Sequence, residues 1–94
     1  MTEMEQKVDR LEGRRKRLIY RSWHRGTKEM DLLMGNFADA YVETFGDEQL
    51  TEYEAVLDIN DPELYDMYLG KTLPREDQDS DVLKSFLEFV LEAA

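Results

Sequence analysis

Cysteine is absent from this 94-residue chain, which excludes disulfides, thiolate zinc sites and cysteine nucleophiles. Proline occurs twice and breaks no helical stretch, Pro62 standing at a helix start and Pro74 in a loop. Histidine occurs once, as His24, so no imidazole pair exists to ligate a metal. Long apolar runs are missing too; Leu32-Leu33-Met34 is as long as they get, far short of a bilayer span. The N-terminus carries no apolar stretch of the secretory type. It is basic, as transit peptides are, but Glu3, Glu5, Asp9 and Glu12 are acids that such peptides avoid. The expected setting is therefore the bacterial cytoplasm rather than the mitochondrial matrix. No stretch alternates polar and apolar residues over a strand's length, and no repeat or low-complexity tract interrupts the chain.

What is present is helical periodicity and a divided charge. Residues 1–28 hold nine Lys/Arg against four Asp/Glu, giving +5, while the remainder carries −15, for a net charge of −10. Such polarity orients partners during encounter, and the acidic bulk repels nucleic acid. The length argues for one domain over residues 1–94, and 41% apolar residues suffice for a modest core.

The expected fold is all-α, a small compact bundle of five short helices, or six if Gly35-Asn36 splits the second. The first covers about residues 4–23 with Val8, Leu11, Leu18, Ile19 and Trp23 inward; its first half, through residue 13, is prone to fray. Gly26 closes it. Thr27 caps the second, whose stripe is Met30, Leu33, Met34, Phe37, Tyr41 and Phe45. Asp47 is the expected cap of the third and Asp61 of the fourth, with Pro62 at its first helical position. Ser80 or Asp79 caps the fifth, with Leu83, Phe86, Leu87, Val90 and Leu91 inward.

Four groups of residues invite a chemical reading. Asp77, Asp79, Asp81 and Glu88 match the 1, 3, 5 and 12 ligand spacing of a calcium loop, but Val82 stands where the sharp turn needs glycine. Acids at a helix start explain them better. His24 lacks a matching serine or cysteine nucleophile, and its position at a helix C-terminus suits positive charge. Arg14, Arg17, Arg21 and Arg25 share one helical face, with Tyr20 and Trp23 nearby. Docking on an acidic protein surface or a phosphate-bearing cofactor ranks first for that ridge, a solvated face a close second and nucleic acid third. A nucleic-acid-binding or antitoxin-like regulator is thus the alternative function. Lastly, Arg25-Gly26-Thr27-Lys28-Glu29 spells RGxxE across a helix junction, with a glycine that leaves its backbone open to close approach.

With those residues in view, the segment from Arg21 through Ala38 resembles the signature of the succinate dehydrogenase assembly factor 2 family, called SdhE in bacteria. The family's RGxxE falls on Arg25, Gly26 and Glu29, its following Asp-Leu pair on Asp31 and Leu32, and its downstream aromatic on Phe37. Glu52–Asp58 and Asp61–Tyr65 resemble its later segments, so the likeness covers roughly residues 14–70. The resemblance implies a protein that is not an enzyme. It would bind the flavoprotein subunit of succinate dehydrogenase, and often that of fumarate reductase, and promote covalent FAD attachment to a histidine of that client. It implies no stably bound cofactor, since the FAD belongs to the client, and no membrane contact. We expect a monomer when free. The partner-binding residues it implies are Arg21, His24, Arg25, Gly26, Glu29 and Asp31.

Overall fold

A computed structural model describes residues 2–91, and these form five α-helices with no strand among them. The helices are α1 (Glu3–Trp23), α2 (Lys28–Tyr41), α3 (Asp47–Leu57), α4 (Asp61–Tyr68) and α5 (Asp81–Glu88). Short 3-10 turns follow α2 at Val42–Thr44 and precede α5 at Glu76–Gln78.

Local sequence explains most of the boundaries. The Thr2 side chain accepts from the Glu5 amide, and Glu5 answers on the Thr2 amide, so α1 is helical from Glu3 onward. Thr27 caps α2 and Ser80 caps α5, as expected. Two caps lie one residue earlier than expected. Gly46 rather than Asp47 precedes α3, with Gln49 reaching back to its amide. Asn60 rather than Asp61 caps α4, its side chain accepting from the Glu63 amide. Asp47 and Asp61 instead occupy the first turns, where the helix dipole favours carboxylates. At the other end, α5 stops at Glu88, so Val90 and Leu91 leave the helical stripe and are exposed.

The core is one cluster centred on α2. Met30, Leu33, Met34 and Phe37 are buried against Leu50, Tyr53, Val56 and Leu57 of α3, Leu64 of α4, and Val82, Leu83 and Phe86 of α5. Leu18 is the fully buried apolar residue that α1 contributes, beside half-buried Leu11 and Ile19. One polar link crosses this core. Ser22 Oγ donates to the Leu18 carbonyl at 2.7 Å and lies 2.6 Å from the Tyr53 hydroxyl, which donates to it. Burial of that phenol, which disfavours the phenolate, pushes its pKa up to about 12.

Gly35 does not split α2; the helix runs through it unbroken. A Cβ built on Gly35 would fall inside the Trp23 indole, so the missing side chain is the seat of that ring. Trp23 also donates from Nε1 to Asp39 at 3.3 Å, which holds the end of α1 on α2. A Gly35→Ala substitution would gain about 1 kcal/mol in helix propensity but meet an overpacking cost of about 1–3 kcal/mol. We expect a net loss of stability with a red-shifted Trp23 emission. A stabilised variant with unchanged emission would sink this account of the glycine.

Candidate functional site

The turn between α1 and α2 gathers most of the residues singled out in the sequence. His24 ends α1, and its ring stacks on Tyr20 with centroids 4.0 Å apart. Its Nδ1 lies 2.8 Å from the Tyr20 carbonyl, an acceptor, so Nδ1 is the protonated nitrogen. Gly26 lies beyond the helix end rather than closing it directly, with φ +121°, a conformation that side chains rarely adopt. Nothing lies within 4 Å of where its Cβ would stand, so glycine is required here by backbone geometry while the space above it is open. Glu29, in the first turn of α2, is exposed and forms no ion pair or side-chain hydrogen bond among the described residues.

Arg25 points the other way. Its side chain is 9% exposed and pairs with Asp61 at 2.8 Å. It also donates to the carbonyls of Leu57 at 2.5 Å and Ile59 at 2.7 Å. Asp31 Oδ1 accepts from the Arg25 amide at 2.6 Å and from the Gly26 amide at 3.2 Å. The turn is therefore held from below by Arg25 and from the side by Asp31, and shows Gly26, Glu29, Lys28 and His24 to the outside.

The basic ridge on α1 is largely engaged within the chain. Arg14 reaches Glu54 at 2.9 Å and the Thr51 hydroxyl at 2.9 Å, and Arg21 reaches Asp58 at 3.0 Å. With Arg25 on Asp61, three of the four ridge arginines face acids of α3 and α4, and the acidic surface that meets the ridge is the protein's own. That leaves a poor footprint for phosphate backbones, because each paired guanidinium would first have to leave its carboxylate. The more exposed Arg14 and Arg21 pairs contribute roughly 0–1 kcal/mol each.

Three open depressions surround the turn. One of ≈ 570 Å³ lies between Tyr20, His24 and the α3–α4 loop with Asn60 and Pro62. A second, of ≈ 480 Å³, runs along Trp23, Gly26, Lys28 and Leu32. A smaller groove of ≈ 270 Å³ joins Thr27, Glu29 and Met30 to Pro62 and Tyr65 of α4. None encloses a small molecule as a catalytic cleft does. Among the described residues no group of three or more His, Asp or Glu side chains is placed to hold a metal, the acids at 77, 79, 81 and 88 included. Ser22, the hydroxyl nearest His24 in sequence, is buried and bonded to Leu18 and Tyr53.

The sequence reading missed Asp61 as the partner of Arg25, the Tyr20–His24 stack, and the part that Pro62 and Tyr65 play in the groove. The stack has a local signal, since aromatic rings four apart share a helix face. The Arg25–Asp61 pair spans 36 residues and leaves none.

These features define a class: a small all-α bundle whose exposed glycine turn is flanked by shallow depressions. A family model described as "Flavinator of succinate dehydrogenase" matches residues 16–90, and the chain belongs to that family. The FAD assembly factor SdhE of Acetobacter pasteurianus is 40% identical over 80 residues, covering 85% of this chain and 73% of that protein. The mitochondrial succinate dehydrogenase assembly factor 2 of Dictyostelium discoideum is 35% identical over 77 residues, 82% of this chain and 55% of its own length. That of Kluyveromyces lactis is 39% identical over 83 residues, 84% and 51% respectively. The chain thus spans about half the length of these two mitochondrial relatives. No solved structure matches it.

Proposed function

We propose that this protein binds the flavoprotein subunit of succinate dehydrogenase and promotes covalent attachment of FAD to it, acting as an assembly factor rather than an enzyme. Family membership supports the client, and one observation supports the site: the turn at 25–29 offers an open glycine backbone and an exposed carboxylate, with its backbone held by Asp31. The proposal extends to the flavoprotein subunit of fumarate reductase as a second client. In physical terms the factor favours one client conformation, shifting its population toward the arrangement in which the client's own groups attach the flavin. No FAD site on this chain is needed for that role. No helix of the described residues is long and apolar enough to cross a membrane.

Within the docking face, Gly26 serves close backbone approach and Glu29 supplies a carboxylate to a cation on the client. His24 and Lys28 form its edges, and Arg21 lies at the rim of the depression beneath Tyr20. The test is flavin fluorescence of the denatured flavoprotein subunit, since covalently held flavin alone survives denaturation. We expect the signal to require this protein, and Glu29→Gln to reduce it while leaving the melting temperature within about 4 °C, because surface changes without internal partners stay within about 0.5 kcal/mol. Full covalent flavin without the protein would sink the proposal.

A further inference from the structure

The RGxxE pattern invites a role for Arg25 at the client, yet its guanidinium is among the least accessible charged groups of the turn. We infer that Arg25, Asp61 and Asp31 form a strut that sets the position of the Gly26 turn, so that Asp61 and Asp31 are positioning residues of the docking face. This rests on the docking reading above for its functional consequence, and on the geometry of the free protein for its existence.

The strut ties two turns together. Leu57 is the last residue of α3, where carbonyls lack an intrahelical partner, and its carbonyl receives Arg25 Nη1. Ile59 lies in the α3–α4 loop, and its carbonyl receives Nη2. Asp61 is the first residue of α4 and receives Nε. A cation at the end of α3 and an anion at the start of α4 each suit the local helix dipole, so the Arg25–Asp61 pair serves both termini. On the backbone of the same residue, Asp31 gathers the Arg25 and Gly26 amides onto one oxygen. The peptide that holds Gly26 at φ +121° is thereby fixed from both directions. A lysine keeps the charge but lacks the planar fork that reaches three acceptors at once.

The experiment uses the full chain with Arg25→Lys and Asp61→Asn, and Asp58→Asn as the neighbouring control, each checked by circular dichroism. Amide hydrogen exchange at Gly26 is read by NMR in the free protein, and affinity for the succinate dehydrogenase flavoprotein subunit is read separately. We expect exchange at Gly26 to accelerate roughly tenfold or more in both strut variants and not in the control. Client affinity should fall in the same two variants, and their combination should be no worse than the weaker single, because both break one device. Unchanged exchange at Gly26 with lowered affinity would place Arg25 in direct contact with the client and overturn the strut. Restoration of wild-type exchange and affinity by lysine would overturn it too. If the unmodified protein does not bind the flavoprotein subunit, the docking reading fails, and the exchange arm alone decides whether the strut exists.

Discussion

Truncating Phe37 to alanine is expected to remove about 3–5 kcal/mol of stability, the range for deleting a large buried ring. Phe37 is 0% exposed and sits where three helices and the chain end converge. Its ring centroid lies 5.4 Å from Phe86 of α5, 5.7 Å from Tyr53 of α3, 5.0 Å from Tyr41 and 5.5 Å from Phe89. Two of these contacts, those to Phe86 and Phe89, are edge-on, the arrangement that adds to simple burial. A chain of this size has a total stability of about 5–14 kcal/mol, so the loss is a large share of it. Urea unfolding is the measurement: the midpoint should fall with the slope unchanged. Phe89, only half-buried, should cost clearly less when truncated. Equal losses at the two positions would mean that the cluster collapses around any gap.

The second large effect is expected at Gly26. Any L-residue there adopts a strained backbone, at about 1–3 kcal/mol, whatever its size. Gly26→Ala and Gly26→Trp should therefore melt at similar temperatures, because the space above the turn is open. They should differ in function. The alanine adds one methyl group, whereas in the proposed docking mode the indole stands where the client's surface approaches. We expect the tryptophan variant to weaken client binding about 30-fold or more beyond the alanine variant, the ~2 kcal/mol typical of a blocked interface centre. Covalent flavin on the client should disappear with it while the helical circular dichroism persists. If the two variants lose function equally, in step with their stability, Gly26 matters only for the turn.

Much of the fold was legible because helical stripes and capping chemistry are local. Met30, Leu33, Met34 and Phe37 fall on one face by spacing alone, and all four are buried. Tyr41, on the same stripe, is 42% exposed because α2 ends with it and the chain turns away into a 3-10 turn. Leu83 and Phe86 are buried as expected, but Val90 and Leu91 are not, since the spacing pattern carries no signal that α5 stops at Glu88. The cap positions were displaced by one residue where two capping-competent residues adjoin, as in Asn60-Asp61. The glycine turn was legible from its motif. What Arg25 does was not, because its acceptors lie more than 30 residues away and two of them are carbonyls that every residue possesses.

The pairing of α1 with α3 and α4 has a consequence for how the two turns find one another. Lys7 meets Asp47, Arg14 meets Glu54, Arg21 meets Asp58 and Arg25 meets Asp61, so the partners climb together and α1 runs in the same direction as α3. The rungs are unevenly spaced: the first step is seven residues on both sides, but the later steps along α1, seven and four, exceed the four and three of the partner. A slide of one helical turn, about 5.4 Å, would bring Arg21 to Glu54 but leave Arg14 beside Leu50 and Arg25 short of Asp61. Only one axial register satisfies every rung, in the manner of a vernier scale. The height at which Gly26 stands above the α3–α4 loop is thus gauged by charges distributed over the whole length of the first helix.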